Sequence, residues 1–321
     1  VGATLAVAQD TFYHYRKGDF MGLSRRDLLM AAMGNMTEAS KTTPLSSFGL
    51  IADVHSADKP SAGRREYRAS LRKLEECHAA FRRRTNRQVV QLGDFIDGGA
   101  ESLEPLMALR YRDRLDYVHV LGNHDAEIPR DAFREGIQTR AYSHTPWICA
   151  SSIGLPDLIL DSTDIGVFAG YEPGSPQVTE GQRILDDLRK RQSPNAQEWN
   201  GAIGRKQLLW LRESLQQIES RSQKVILFCH QPIHPEACRP EHLLWNHQEV
   251  LDCIEQSPAV IAYFSGHDHQ GGYAFRKGIH HITLPALVEN KPEDCARIVD
   301  VYPHELLISS LAGRELLRVK Y

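Results

Sequence analysis

The stretches SFGLIADVH (residues 47–55), VVQLGDFID (89–97) and YVHVLGNHD (117–125) decide the fold. Each is a short apolar run that breaks abruptly into Asp, His or Asn. The pattern returns at VILFCH (225–230) and IAYFSGHDH (261–269). Apolar runs of this length, rich in Val, Ile and aromatic residues, read as strands buried on both faces. Helical periodicity separates several of them, which predicts an α/β fold built on a mostly parallel sheet. In such sheets the carboxyl ends of the strands share one edge, and ligands bind in the crevice there. The polar ends of all five runs are therefore expected to converge.

Working outward, Arg65–Arg83 carries Tyr67, Leu71, Leu74, His78 and Phe81 on one helical stripe. Further helices are predicted over GRKQLLWLRESLQQI (204–218) and HLLWNHQEVLDCI (242–254). HHITL (280–284) and the final segments ARIVDVY, ELLISS and ELLRVKY read as consecutive strands, which suggests a second, partly antiparallel sheet. Residues 1–45 show weak periodicity and are expected to form an arm; its Ser24-Arg25-Arg26 faintly resembles a twin-arginine export signal. Residues 46–321 are expected to form a single domain. A Pro-, Gly-, Gln- and Asn-rich stretch at 170–204 is a candidate lid or recognition loop.

Composition narrows the function. The 38 basic and 41 acidic side chains leave a formal charge of −3, so there is no general attraction to nucleic acid or anionic lipid. No apolar run approaches the ~20 residues of a membrane-spanning helix. The six cysteines follow no CxxC or framework spacing and read as reduced core thiols. A cytoplasmic location is expected, with export as the alternative.

The predicted edge gathers Asp53, His55, Asp94, Asp97, Asn123, His124, His230, His267 and His269. Carboxylates, imidazoles and one amide, with no thiolate, can hold two divalent ions in the manner used to polarise a phosphoryl group and activate water. A single carboxylate such as Asp94 suits a position shared by both ions. Glycines before Asp94, Asn123 and His267 permit tight turns or close backbone approach. Glu289 and Asp161, near strand ends, are candidate partners for metal-bound imidazoles.

The ordered set DVH, GDFID, GNHD, His230 and GHDH resembles the calcineurin-like metallophosphoesterase superfamily. The resemblance implies a four-layer α/β sandwich, with two β-sheets packed face to face and helices outside. Asp53, His55 and His269 would bind one metal, and Asn123, His230 and His267 the other, with Asp94 bridging. His124 matches the non-ligand histidine that assists the leaving group or stabilises the developing charge, and Asp97 is placed to orient it.

A narrower resemblance concerns substrate. SFGLIADVHSADKP, RREYRASL, QLGDFIDG, WNGAIG with QLLWL, HQPIHP, LLWN and GGYAFRKGIHHITL are similar to the manganese-dependent ADP-ribose/CDP-alcohol diphosphatases. The implied reaction splits a nucleoside diphosphate joined to a sugar or alcohol into a nucleoside monophosphate and a phosphorylated remainder. Mn²⁺ is the implied metal; imidazole and oxygen donors also accept Fe, Zn or Co. Arg65 and Arg64 are expected to clamp the second phosphate, and Trp199, Trp245 or Tyr273 to stack against a base. The resemblance departs at His55, where animal members carry glutamine, and at Asp125, where glutamate is commoner. His55 keeps a general or cyclic-nucleotide phosphodiesterase as the alternative. A non-catalytic scaffold is the third reading, and the intact ligand set argues against it.

Overall fold

The computed structural model describes residues 43–83, 87–137, 141–142, 148–150 and 155–321. The expected arm and its paired arginines lie outside the described residues, save for Thr43 to Leu45. Pro44–Tyr321 forms one compact unit.

Among the described residues there are fifteen strands, interspersed with helices. They are β1 (Ser46–Ile51), β2 (Gln88–Gln91), β3 (Asp116–His119), β4 (Ala141–Tyr142), β5 (Ile148–Ala150), β6 (Asp157–Ile159), β7 (Ile165–Gly166), β8 (Gly201–Ala202), β9 (Val225–Phe228), β10 (Val260–Ser265), β11 (Gly272–Arg276), β12 (Ile279–Thr283), β13 (Arg297–Tyr302), β14 (Glu305–Ser309) and β15 (Glu315–Lys320). The main helices are α1 (Ser70–Phe81), α2 (Leu103–Asp113), α3 (Arg130–Ile137), α4 (Pro176–Lys190), α5 (Arg205–Ser220) and α6 (His247–Ile254), followed by the single turn α7 (Pro292–Cys295).

Two large sheets form. The first runs β15-β14-β13-β1-β2-β3-β4, and the second runs β11-β12-β10-β9-β6-β5. Side-chain alternation explains why both are apolar on each face. Phe48, Leu50, Val90 and Val118 face inward onto Ile226, Phe228 and Phe264 of the second sheet. The rings of Phe48 and Phe228 meet edge-on at 6.1 Å. Their neighbours Ile51, Val89 and Tyr117 point the other way, beneath Leu74, Phe81, Leu106 and Phe133 of α1–α3. Leu158, Leu227 and Tyr263 on the second sheet likewise face α5 and α6. The result is helix, sheet, sheet, helix.

Three details differ from the sequence reading. The last strands do not build a sheet of their own: β12 lies parallel to β10 in the second sheet, while β13 pairs antiparallel with β1 and carries β14 and β15 into the first. Ile298 and Val299 explain this, because one packs under the helices and the other between the sheets, as befits an interior strand. The first helix begins at Tyr67 as a short 3-10 turn, since Ala62 and Arg65 bridge one another and the Glu66 amide donates to Val288 O at 3.1 Å. The 170–204 stretch contains a fifteen-residue helix: Ser175 caps α4, and Leu185 packs with Ile165, Ala202 and Trp245.

Candidate metal centre

The five motifs do converge, but at the shared edge of two sheets. Asp53 and His55 follow β1, Asp94 and Asp97 follow β2, and Asn123 and His124 follow β3; His230 follows β9, and His267 and His269 follow β10. Beyond its last strand residue each chain turns sharply. Asp53 (φ 52°), His55 (φ 45°), Asp94 (φ 54°) and His267 (φ 68°) lie in the left-handed region, half of the eight described non-glycine residues that do. Asp and His tolerate this conformation better than most residues, yet each instance still stores on the order of 1 kcal/mol.

The turns are tied together by backbone. Asp53 N donates to Gly93 O (3.1 Å), His55 N to Asp94 O (2.9 Å) and Ser56 N to Phe95 O (3.1 Å). Asp125, fully buried, pins the second and third turns: Oδ1 accepts from Phe95 N at 2.7 Å and Ile96 N at 3.1 Å, and Oδ2 accepts from Gly122 N at 3.0 Å. Aspartate at this position therefore acts on the loops. Gly122 is required sterically, since a Cβ there would sit 2.1 Å from Asp94 Oδ1 and 2.2 Å from Asp94 N.

Four imidazoles carry the main observation. His269 Nδ1 donates to Glu289 Oε1 (2.7 Å), His55 Nδ1 to Asp97 Oδ2 (3.0 Å), and His230 Nδ1 to Leu92 O (2.8 Å). His267 Nε2 donates to Asn200 Oδ1 (2.8 Å), whose amide is fixed because Asn200 Nδ2 donates to Asn195 O and Glu241 O. Each ring thus spends its proton outward and turns a lone pair inward. The inward atoms meet carboxylates: His269 Nε2 lies 3.7 Å from Asp53 Oδ1, while His55 Nε2 lies 3.5 Å and His230 Nε2 3.2 Å from Asp94 Oδ2.

His230 Nε2 also faces His267 Nδ1 at 3.2 Å and Asn123 Oδ1 at 3.1 Å. Lone pairs so arranged repel unless a metal ion or a proton lies among them. Burial disfavours the charged ring, but Asp94 and Asp53 push His230 up to about 9, so without a metal ion a proton takes that place. His55 Nε2 is likewise buried with no hydrogen-bond partner. Burial pushes His55 down to about 3 and His267 well below the ordinary histidine range, so both rings stay neutral. Burial opposes charge on Asp94, but His230 and His124 outweigh it and hold the carboxyl well below its usual range. Burial pushes Asp53 up to about 6. Neutral imidazoles, carboxylate oxygens and one amide oxygen fit borderline to hard divalent cations such as manganese.

Asp97 is a hub. Besides His55, it contacts the Lys59 ammonium, His124 Nδ1 at 3.4 Å and Arg65 Nη1 at 3.6 Å. His124 Nδ1 also lies 3.0 Å from Glu127 Oε1. Burial disfavours the charged ring, but Asp94, Asp97 and Glu127 prevail and push His124 up to about 11.

The expected substrate residues fare unevenly. Arg65 is half-buried against Asp97 and Glu289, and Arg64 is exposed, 3.7 Å from Glu289 Oε2. Trp199 is exposed and immediately precedes Asn200. Trp245 does not serve as a stacking platform: it is 4% exposed in an apolar cluster with Ile165 and Leu185, and its indole N–H is spent on Gln197 O at 3.1 Å. Tyr273 lies exposed on the edge strand β11, with its hydroxyl 3.0 Å from His280 Nδ1. Asp161 pairs with Arg130 at 2.7 Å instead of with a histidine of the site.

Sequence reading missed Asn200, Lys59 and Glu127, as well as His242, whose ring lies 5.2 Å from that of His267. The one available signal was that WNGAIG and DVHSADKP continue or flank recognisable motifs.

Comparison with known proteins accords with this geometry. The profile of the family described as calcineurin-like phosphoesterase matches residues 46–271. A protein of Oryza sativa subsp. japonica named manganese-dependent ADP-ribose/CDP-alcohol diphosphatase is 31% identical over 310 residues, spanning 87% of this chain and 95% of its own. A Mus musculus protein of the same name is 30% identical, spanning 84% of this chain and 92% of its own. The crystal structure of a dimetal phosphatase from Danio rerio superposes with a TM-score of 0.78 at 28% identity, covering 87% of this chain and 99% of that one.

Proposed function

This chain belongs to the calcineurin-like phosphoesterase family, and from that premise we propose that it hydrolyses the phosphoanhydride bond of nucleoside diphosphates joined to a sugar or alcohol, namely ADP-ribose and CDP-alcohols. The products are a nucleoside monophosphate and a phosphorylated sugar or alcohol. It is a metal-dependent phosphohydrolase that uses two divalent ions, manganese by likeness to its relatives. The observation that carries this reading is the set of four imidazoles whose lone pairs converge on Asp53, Asp94 and Asn123.

We assign Asp53, His55 and His269 to one ion and Asn123, His230 and His267 to the other, with Asp94 shared. The close grouping of Asp53, His55 and His269, and of Asp94, His230 and His267, supports the division. A third grouping, His55, Asp97 and His124, is read as hydrogen bonding around Asp97, because the His55 Nδ1 proton is already committed there. When bound, the ions supply the positive charge that polarises phosphorus and makes water nucleophilic near neutral pH.

The protein's own residues do the rest. Asp94 Oδ1 accepts from His124 N at 2.8 Å, which fixes His124 relative to the shared carboxylate. With His124 raised to about 11, its ring is an imidazolium at neutral pH and acts as a cationic donor. A departing phosphate monoester, with a second pKa near 6, needs charge stabilisation more than a full proton. Asp97 and Glu127 place their carboxylates 3.4 and 3.0 Å from Nδ1, which leaves Nε2 as the nitrogen available to the reacting group.

The test is to strip and reload the protein with Mn²⁺ and offer ADP-ribose, CDP-choline, cyclic AMP and bis-(p-nitrophenyl) phosphate in parallel. Turnover of the first two is expected. Good cyclic AMP hydrolysis with neither diphosphate cleaved would overturn the reading, and inertness with all four would favour the scaffold.

A further inference from the structure

Beside Asp97, on the side away from the ion-facing nitrogen of His55, lies a cavity of about 230 Å³. Ala57, Asp58, Lys59, Asp97, Glu101 and Ser102 are among its walls, and no aromatic ring is. Lys59 is its cation. Its ammonium contacts Asp97 Oδ1 and sits 4.2 Å from the centre of the Tyr67 ring, while the side chain as a whole stays partly exposed. Glu101, exposed for the most part, has no ion-pair partner among the described residues.

The two halves of the metal centre differ in what adjoins them. Asp53, His55 and His269 adjoin Asp97, and through it Lys59 and this cavity. Asn123, His230 and His267 adjoin Asn200, and next to it the exposed ring of Trp199. A nucleobase gains from stacking on an aromatic face, which the cavity cannot offer. A sugar or amino-alcohol gains from carboxylate and hydroxyl partners, and a phosphate from an ammonium, which it can.

Resting on the diphosphatase reading, we infer that the cavity beside Asp97 is the subsite for the non-nucleotide half of the substrate. Lys59 grips the phosphate that leaves with that half, and Glu101 meets its hydroxyls or its cationic head. The substrate then lies across the centre in one sense, with its base toward Trp199 and its sugar or alcohol toward Lys59. Lys59 and Glu101 are specificity-determining residues, and neither belongs to the ion-binding set.

The test compares the Mn²⁺-loaded wild type with Lys59→Met, Lys59→Arg and Glu101→Gln on ADP-ribose, CDP-choline and bis-(p-nitrophenyl) phosphate, which has no second phosphate. A charge-assisted hydrogen bond contributes enough that its loss lowers kcat/KM by roughly 10- to 100-fold. Lys59→Met is expected to show that loss, mainly through KM, on both diphosphates and a loss several-fold smaller on the diester. Lys59→Arg restores most of the difference, and Glu101→Gln raises KM for CDP-choline more than for ADP-ribose.

Equal losses on all three substrates in Lys59→Met would mean that Lys59 acts only through Asp97, and would overturn the inference. So would no loss at all, or an unchanged substrate preference in Glu101→Gln. If the wild type cleaves the diester and neither diphosphate, the underlying reading fails first and takes the subsite with it.

Discussion

Replacing Gly122 with alanine inserts one methyl group where the shared carboxylate and its backbone already stand. The added carbon would lie 2.1 Å from Asp94 Oδ1 and 2.2 Å from Asp94 N, against a practical floor of 3.0 Å. One turn must therefore retreat by most of an ångström. Asp94 cannot swing away alone, because its Oδ1 accepts from His124 N and its carbonyl accepts from His55 N. Nor can the Gly122 turn shift freely, since Gly122 N is bonded to Asp125. A displacement near 1 Å at a reacting centre costs on the order of 100-fold in rate, and overpacking of this kind costs about 1–3 kcal/mol of stability. In Gly122→Ala, kcat/KM for ADP-ribose with Mn²⁺ is expected to fall about 100-fold, with weaker Mn²⁺ binding by EPR titration and a lower urea midpoint. A folded variant with wild-type Mn²⁺ affinity and rate would refute the claim that these two turns are held in register by the missing Cβ.

Other outcomes follow from the same geometry. Asn200→Leu removes the acceptor that orients His267 and is expected to weaken one of the two Mn²⁺ sites about 10- to 100-fold; calorimetric titration showing both sites unchanged would refute it. Asp94→Ala should abolish Mn²⁺ binding and turnover, whereas His124→Ala should keep Mn²⁺ and lower kcat roughly 100-fold or more, so single-turnover rates separate the two. Trp245→Ala should lose about 3–5 kcal/mol of stability and show no preference among substrates, as befits a core ring. Burial lowers His119 to about 3, below its unfolded value near 6.5, so the unfolded chain binds a proton that the folded one refuses. Its contribution to stability is therefore lost as pH falls from about 6.5, by up to about 1.4 kcal/mol per pH unit. Urea midpoints should fall more steeply toward pH 4.5 in wild type than in His119→Gln; parallel curves would refute it.

How much of this was legible follows from the type of signal. The five strand-end motifs were readable because burial on both faces leaves uninterrupted apolar runs, and a run that stops at Asp or His marks the edge where the chain leaves the core. Sheet membership was not readable. Periodicity fixes which way Ile298 and Val299 point, but their pairing with β1 rests on contacts between residues some 250 positions apart, Gly49 with Ile298 among them. The candidate ligand set came from the resemblance of the five motifs to the family's, carried over position by position. Glu289 was readable as a candidate partner from its place near a strand end, whereas Asn200 acts through a single hydrogen bond from a segment 67 positions away and leaves no local pattern. Trp245 failed for a related reason: composition cannot tell a stacking ring from a packing ring, and the distinction came only from what covers its faces.

The placement of the candidate ligands on both sheets has a consequence for how the molecule is held together. Asp53, His55, Asp94 and Asn123 leave the first sheet, whereas His230, His267 and His269 leave the second, and both groupings assigned to an ion, Asp53 with His55 and His269 and Asp94 with His230 and His267, draw on the two sheets. An ion seated in either would be a rivet through the two layers, resisting their separation at the edge where their packed interior ends. Unfolding must then release the ions, so resistance to urea becomes a function of free Mn²⁺, gaining about 2.7 kcal/mol for a site at 100 times its Kd. Chelation would loosen the same joint that carries out the chemistry, and metal supply would set the lifetime of the fold as well as its activity.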